Sequence, residues 1–535
     1  MRVYAGSDHA GFSLRKTLVK RLRSQGREVV DLGTDSDAAC DYPEFAFAVA
    51  NAVRGNPGSL GMLVCATGQG MAIAAGKVRG IRAVVPATVE AARLSRFDNN
   101  ANVLCLGGRF LAESEAFAIV DTWLATGFAG GRHARRIAKV AAIETASAVA
   151  FITESERLGL AARGVPARIF DRDPTLFSAQ DQAHAAIKES LGWLSLPADV
   201  AERLPELISF TAEIRKARFK DLILVVEDAE NSPAATVTQI WGSGSGGLRL
   251  HVLGNGERSA LAALEDSVHF DTALVLAVAG SGTCKSVESK EHLLWSRMLD
   301  LRGGDATRAG GHFAAITSAQ SRLAEIAEAH HYRKLFLGAG GIGDSFGALG
   351  FEGFVPAALL GLDPGRLLAR TRAMVEACRG DRLEDNPGAS LGVLLGAMAK
   401  HGRNKLTLLA SKSLLSLGPW IARVLSCATG KSDKRVVALW GEQVLPSYPP
   451  DRIFIHLQAD DDAPAIPSEQ MEALHIAGQP YIQIAVRDRY ELGAEIFRWE
   501  IAATVAALVL GVNPFPAVES VATQQSVQAQ PASQP

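Results

Sequence analysis

The stretch that decides the fold is LGMLVCATGQGMAIAAGKV, residues 60–78. It opens with a short apolar run that ends at Cys65, continues through a turn containing Gly68 and Gly70, and then takes on a helix-like apolar spacing. A strand, a glycine loop and a helix in this order form the repeating unit of parallel α/β sheets. We therefore predict that Cys65 lies at the end of a strand and faces the start of a helix.

The same rhythm extends over residues 1–143. Helix-like segments at Phe12–Ser24, Phe45–Val53 and Ser114–Leu124 separate short apolar or β-branched runs. These runs are residues 2–6, 28–33, 60–65, 82–87 and 102–108. The alternation predicts an α/β fold with a doubly wound, Rossmann-like parallel sheet, in which ligands bind beyond the carboxyl ends of the strands.

The remainder of the chain predicts further domains, because 535 residues exceed one ordinary core. The Ala-rich residues 144–166 lack strand signals, so we interpret them as a linker. Residues 167–522 carry a second, longer α/β pattern, which suits two packed α/β/α subdomains. The polar, Gln- and Pro-rich residues 523–535 are expected to be disordered.

Bulk composition excludes several classes of protein. With 55 Lys and Arg against 57 Asp and Glu, the net charge of −2 provides no long-range attraction to nucleic acid or to an anionic membrane. The chain begins without an apolar signal segment and contains no apolar stretch long enough to span a bilayer. Its six cysteines show no zinc-site spacing. These features predict a cytoplasmic protein with free thiols and neither nucleic-acid nor membrane partners.

The residues around Cys65 indicate proton-transfer chemistry. Backbone N–H groups at a helix start lower the pKa of a neighbouring thiol from about 8.5, which makes the thiol a usable base. The same N–H groups can hold a phosphate or a developing enediolate oxygen. A basic cluster at residues 130–136, GGRHARR, supplies charge suited to phosphate. Taken alone, such a thiol is more often a structural core residue, and such a cluster is more often a solvated face.

Several motifs together resemble the type B ribose-5-phosphate isomerase family, which also includes the galactose-6-phosphate isomerase subunits. The resemblance covers about residues 1–143, with the motifs in the family's order and spacing. They are GSDHAGF at 6–12, DYPEFA at 41–46, CATGQGMAIAAGKVRGIRA at 65–83, NNANVLCLGGR at 99–109 and GGRHARR at 130–136.

This resemblance implies isomerisation of a small phosphorylated sugar through a cis-enediol, without metal or other cofactor. Cys65 would move the proton between C1 and C2, and Asp8 would handle hydroxyl protons near those carbons. Thr67 would steady the enediolate together with the backbone amides of Gly68 and Gly70. The residues expected to bind phosphate and sugar hydroxyls are His9, Asn99, Arg109, Arg132 and Arg136. In this family the site lies between two subunits, so a homodimer or higher homo-oligomer is implied.

Three positions depart from the family pattern. Ala66 and Gly76 replace a glycine and an asparagine, and Asp98 stands where the family has its ring-opening histidine. A carboxylate is a poor proton donor at neutral pH unless burial raises its pKa. The resemblance implies ribose 5-phosphate as the substrate, and this departure leaves another phosphorylated aldose, of four or six carbons, as the alternative. A sugar-phosphate sensor without catalysis is the alternative of a different class.

Residues 167 to about 520 resemble the phosphoglucose isomerase fold, in the bacterial form fused to transaldolase. The motifs are RIFDRDPTLFSAQ at 168–180, LGWLSLP at 191–197, IGDSFGALGFEGFVPAALLGLD at 342–363, NPGASLGVLLGAMAKHGRNKLTLL at 386–409, ATGK at 428–431 and LGAEIFRWEIAATVAALVLGVNPF at 492–515.

The catalytic positions of this second family are changed. Its glycine-rich phosphate loop falls on residues 227–232, which include three acids, and its second loop keeps only the middle of residues 279–284. Its arginine falls on Ser345 and its base on Cys427, and no lysine follows residues 513–517. We expect Cys427 to be a buried structural thiol and this region to be a pseudoenzyme domain that retains the fold.

Overall fold

A computed structural model of the chain describes residues 2–229, 232–241, 246–254, 264, 267–280, 285–338, 342, 345–442, 445, 448–463, 466–467, 470–471, 474 and 479–515. The chain divides into two compact units, of which the first contains Met1–Ala148 and the second most of the remaining residues. The predicted tail at 523–535 lies outside the described residues.

The first unit contains one five-stranded sheet in which every strand pair is parallel. Its order is β2-β1-β3-β5-β4, so the chain reverses direction across the sheet as in doubly wound folds. The strands are β1 Arg2–Ser7, β2 Glu28–Asp31, β3 Leu60–Cys65, β4 Ala83–Val84 and β5 Val103–Gly107. The sequence analysis predicted all five.

Helices lie on both faces of this sheet. Their apolar side chains pack against those of strands β1, β3 and β5 in two hydrophobic clusters, one on each face. Strand residues alternate between the two clusters: Met62 and Val64 join one, whereas Leu63 and Cys65 join the other. The helices are α1 Phe12–Ser24, α2 Tyr42–Gly55, α3 Gln69–Ala75, α4 Val89–Phe97 and α5 Glu113–Ala125. Helix α6, Gly131–Ala162, follows α5 along the chain.

Helix α6 runs through the predicted boundary at residue 143 and through most of the predicted linker. Alanine is the strongest helix former, and a segment rich in alanine without helix-ending residues continues the preceding helix. Residues 144–162 therefore extend a helix that began at Gly131, and the first residues after it form a further helix at Val165–Phe170.

The second unit contains two parallel sheets, with orders β10-β9-β8-β6-β7 and β12-β11-β13-β14. The strands are β6 Asp221–Val225, β7 Arg249–Leu253, β8 Ala273–Ala279, β9 Phe313–Thr317, β10 Lys334–Leu337, β11 Lys405–Ala410, β12 Val437–Trp440, β13 Arg452–Ala459 and β14 Tyr481–Val486. All of these except β14 were predicted as strands from apolar runs in the sequence, at residues 222–226, 248–253, 273–280, 312–317, 334–340, 405–411, 435–440 and 453–458.

Helices cover both sheets of the second unit. They are α7 Val165–Phe170, α8 Asp181–Ser190, α9 Leu196–Glu202, α10 Leu204–Lys216, α11 Pro233–Trp241, α12 Lys285–Leu301, α13 Ala306–Gly310, α14 Arg322–Ala329, α15 Phe351–Leu359, α16 Pro364–Arg379, α17 Pro387–Lys400, α18 Leu417–Thr429 and α19 Leu492–Leu510. Helix α19 is buried along nearly its whole length, which explains its almost uniformly apolar sequence.

Candidate active site

The first group of site residues lies where strands β1 and β3 end. Strands β1 and β3 are neighbours, and Ser7 of β1 pairs with Val64 of β3. The next residues along the two strands, Asp8 and Cys65, therefore lie at the same edge of the sheet, where the strands have their carboxyl ends. Asp8 is almost fully buried, and its carboxylate accepts a hydrogen bond of 3.0 Å from the backbone N–H of Gly11. Parallel strands thus bring together two side chains that are far apart in the sequence.

Cys65 is also nearly buried, with 5% of its surface exposed. The backbone N–H of Gly68 donates to its Sγ at 3.1 Å. A hydrogen bond from an amide to sulfur stabilises negative charge there, which is the condition for a thiolate base. One strand away, burial raises the pKa of the Cys105 thiol well above the ordinary range.

The loop geometry that aims this amide depends on Gly68. Its φ of +78° lies in the left-handed region, and an added Cβ would approach Val85 Cγ1 to 3.0 Å. A residue with a side chain meets both conformational strain and a close contact here.

We predict that Gly68→Ala lowers the free energy of unfolding by about 1–2 kcal/mol from strain alone, with the contact adding to it. The amide that contacts Cys65 shifts as well, so any chemistry that depends on this thiol is expected to slow. Gly26→Ala is the matched control, since Gly26 has φ +77° and open space around it. Denaturant unfolding and turnover measure both variants; equal behaviour of the two would remove the special role of Gly68.

Thr67 and Gly70 lie in the loop that follows Cys65 and at the start of α3. Thr67 is exposed, and its Oγ1 accepts from the Gln69 N–H at 3.2 Å. At Gly70 a Cβ would lie 2.9 Å from the Tyr42 ring, which shows how closely the loop is packed.

The loop after β5 brings Arg109 to the same place. Gly108 N–H donates to the carbonyl of Cys65 at 2.7 Å, and Arg109 N–H donates to that of Ala66 at 3.1 Å. Arg109 itself is exposed. Nδ1 of His9 lies 3.2 Å from both the backbone nitrogen and the carbonyl oxygen of Cys40, and these contacts hold the ring beside Asp8.

A second group of site residues surrounds the end of α4 and the start of α6. Asp98 caps α4, and its Oδ1 lies 3.5 Å from Nδ1 of His133. Asn99, Arg132 and Arg136 are exposed. Among the described residues, no hydrogen bond or ion pair joins this group to the one around Cys65.

The sequence analysis did not select His133, although it lies within the GGRHARR motif. Its contact with Asp98 joins residues 35 positions apart, and no local pattern encodes that pairing. The sequence signal that could have indicated His133 was its place in the same motif as Arg132 and Arg136.

In the second unit, Ser345 Oγ and Cys427 Sγ lie 3.2 Å apart. Cys427 is exposed, so the expectation of a buried thiol was wrong. It lies on α18, whose apolar face is formed by Trp420, Ile421 and Val424 and their neighbours, and Cys427 falls outside that face.

Lys431, which follows Cys427 closely, is engaged with the backbone. Its Nζ donates to the carbonyl oxygens of Asn513 at 3.1 Å and Phe515 at 2.7 Å. Of the predicted changed loops, residues 230, 231, 281–284 and 516–517 lie outside the described residues.

The described part of the chain contains neither a metal-ligand cluster nor a membrane-spanning helix. No three His, Cys, Asp or Glu side chains there are grouped to hold a metal ion. No helix in that part has both the length and the apolar character needed to cross a bilayer.

The first unit is similar in sequence to known proteins. The Ribose/Galactose Isomerase family matches residues 3–140. Ribose-5-phosphate isomerase B of Escherichia coli is 45% identical over 143 residues, which are 27% of this chain and 96% of that protein. A crystal structure of ribose-5-phosphate isomerase B from Mycoplasma genitalium with bound ribulose-5-phosphate is 45% identical, with a TM-score of 0.26, and covers 26% of this chain and 93% of the other.

A third comparison reaches beyond the first unit. A hypothetical protein of Thermus thermophilus is 19% identical, with a TM-score of 0.55, and the match covers 70% of this chain and 96% of the other. At this identity the likeness shows a shared fold alone.

The relatives of the first unit are matched over almost their whole length, and the matched residues of this chain include the thiol, the glycine loop and the arginines described above. Through residues 3–140, the chain belongs to the ribose/galactose isomerase family.

Proposed function

We propose that the first unit interconverts ribose 5-phosphate and ribulose 5-phosphate. The observation that carries this proposal is the Gly68 N–H directed at Cys65 Sγ, at the sheet edge that the thiol shares with Asp8. Relatives that are 42–46% identical are named ribose-5-phosphate isomerase B, and one was crystallised with ribulose-5-phosphate.

The proposed reaction is a proton transfer between adjacent carbons. The Cys65 thiolate takes the proton from C2 of the open-chain aldose, and the C–H electron pair forms the C1=C2 bond of a cis-enediolate. The carbonyl electrons move to O1, where Thr67 and the amides of Gly68 and Gly70 balance the charge. Asp8 transfers a proton between the hydroxyls, and the thiol returns its proton to C1, which gives the ketose.

Phosphate recognition is assigned to Arg109, Arg132 and Arg136, with His9 and Asn99 on sugar hydroxyls or phosphate. The three arginines are exposed, and guanidinium groups bind phosphate in bidentate geometry.

We further propose that two copies form the working unit. Large apolar side chains are exposed near the site residues in the sequence: Tyr42, Phe47, Ile73, Val89, Leu94, Phe97 and Phe110. Exposed apolar groups of this number favour burial against another protein surface.

We also propose a cytoplasmic location, because the five described cysteines have free thiols, as is usual in a reducing compartment.

Alternative substrates and a sensor role are separated by a turnover assay. The purified chain is given phosphorylated aldoses of four, five and six carbons, and ketose formation is measured. Preference for the pentose supports the proposal. Preference for a tetrose or hexose phosphate changes the substrate but keeps the chemistry, whereas binding without turnover on any sugar identifies a sensor.

For the second unit we propose a phosphoglucose-isomerase-like domain without isomerase activity. Ser345 and Cys427 touch each other at the positions that the resemblance assigns to an arginine and a base. Glu227 and Asp228 place negative charge in the loop that would bind phosphate, and such charge repels that ligand. At these described positions, neither the base nor the phosphate contacts of an active site remain.

We predict that the full chain carrying Cys65→Ala does not interconvert glucose 6-phosphate and fructose 6-phosphate. The substitution removes the first site's base, so any remaining activity reports the second unit. Loss of the base and of electrostatic stabilisation each costs about 10²-fold or more in rate. A coupled dehydrogenase assay measures this; sustained hexose-phosphate turnover by this variant would refute the pseudoenzyme proposal.

A further inference from the structure

The contact between Asp98 and His133 occurs at the position where the family pattern has a histidine and this sequence has a carboxylate. Asp98 Oδ1 lies 3.5 Å from His133 Nδ1, and their side chains are 35% and 11% exposed. The pair belongs to the site proposed above, and the inference rests on that proposed function.

The hydrogen bonds of the imidazole fix which nitrogen bears a proton. Arg132 Nε lies 3.2 Å from His133 Nε2, and a guanidinium can only donate. Nε2 is therefore the acceptor, so the proton of the neutral ring is on Nδ1 and faces the Asp98 carboxylate. A carboxylate at this position fixes the orientation of the ring.

The backbone and a neighbouring ring hold the same arrangement. The Ala129 N–H donates to the carbonyl of Phe97 at 3.0 Å, which ties the segment before α6 to the end of α4. The Phe97 ring lies edge-on to His133, with 6.4 Å between centroids. Arg93 is a further charged group near Asp98, and its pKa is raised mainly by its hydrogen bond with Glu90.

The substrate's own chemistry requires an acid. An aldopentose 5-phosphate exists mainly as a cyclic hemiacetal, and C2 can be deprotonated only after the ring opens. Opening places a proton on the ring oxygen and removes one from the C1 hydroxyl. An ionised carboxylate cannot donate the first proton, whereas imidazole is the side chain that exchanges protons near neutral pH.

We propose that His133 is the acid that opens the sugar ring and that Asp98 is its positioning residue. The imidazolium Nε2–H transfers its proton to the ring oxygen, which takes the electron pair of the breaking C1–O bond. The C1 hydroxyl gives its proton to Asp8, and its O–H electron pair forms the C1=O bond. Solvent then restores both groups.

Arg132 links this step to substrate binding. In the structure it occupies Nε2 of His133, the nitrogen that must donate. When Arg132 binds the substrate phosphate, that nitrogen becomes free to take up a proton and to face the sugar. Binding of the sugar phosphate by Arg132 thus makes Nε2 of His133 available to the sugar ring.

The test compares two reactions of the full chain, because only one of them needs ring opening. Isomerisation starts from cyclic ribose 5-phosphate. Deuterium exchange at C1 of ribulose 5-phosphate in D₂O needs no ring opening, since this ketose cannot cyclise through its phosphorylated C5 oxygen. We expect His133→Gln to slow isomerisation about 10²-fold or more, and Asp98→Asn about ten-fold, while exchange by both stays near that of the parent.

His269→Gln is the matched control, because His269 is exposed in the second unit and its side chain caps no helix. Unchanged isomerisation in His133→Gln overturns the inference, and so does an equal loss of isomerisation and exchange, which would indicate a structural or binding role. Failure of the parent chain in both reactions would instead count against the proposed function.

Discussion

Cys65→Ala is expected to lower the rate of isomerisation about 10²–10⁴-fold, the usual cost of losing a general base. The thiol is nearly buried and its one described hydrogen bond comes from the Gly68 N–H, so alanine leaves the loop without a competing polar group. Binding of the sugar phosphate should persist, since the arginines are unaltered. Steady-state kinetics, together with titration of ribulose 5-phosphate, measure the two effects separately.

Cys105→Ala provides the matched control for that experiment. Cys105 is fully buried one strand away in β5, and burial raises the pKa of its thiol, which keeps it protonated and unreactive. Its replacement should leave turnover close to that of the parent. If Cys65→Ala retains most of its turnover, or if both variants lose activity equally, then Cys65 is not the base and the proposed mechanism is wrong.

The double variant Arg132→Ala with Arg136→Ala is expected to show the second-largest effect, on KM. A charge-assisted hydrogen bond contributes about 1.5–3 kcal/mol, so each single variant should raise KM roughly ten- to a hundred-fold, and the pair more. Both side chains are exposed, so their removal leaves the core intact. Kinetics with ribose 5-phosphate over a wide concentration range measure the change.

The single variant Arg136→Ala isolates phosphate binding, because Arg132 also contacts His133. Arg54→Ala, an exposed arginine at the end of α2, controls for the general loss of positive charge. A KM that is unchanged in both Arg132→Ala and Arg136→Ala would exclude these residues from phosphate binding and would move that role to Arg109 and His9.

The strand, loop and helix around Cys65 could be predicted from the sequence because the signals for them are local. An apolar run that ends at Cys65 and a turn with Gly68 specify a strand, a loop and a helix without reference to the rest of the chain. The strand order that brings Asp8 to the same sheet edge as Cys65 follows from the general behaviour of doubly wound sheets.

The elements that were missed depend on tertiary context. Strand β14, Tyr481–Val486, is at a sheet edge and only partly buried, so its sequence lacks the continuous apolar run of a central strand. Cys427 adjoins a long apolar stretch, and only its position around α18 leaves it exposed. The pairing of Asp98 with His133 depends on where α6 begins relative to the end of α4.

The central claim is that this chain converts ribose 5-phosphate to ribulose 5-phosphate with the thiol of Cys65. The most direct measurement is proton NMR of the purified full chain in buffer with a metal chelator, started from each sugar phosphate in turn. The parent is expected to reach the same equilibrium mixture from both directions, and Cys65→Ala is expected to reach it at least about a hundred-fold more slowly. No conversion by the parent from either side, with the sugar phosphate nevertheless bound, would contradict this claim.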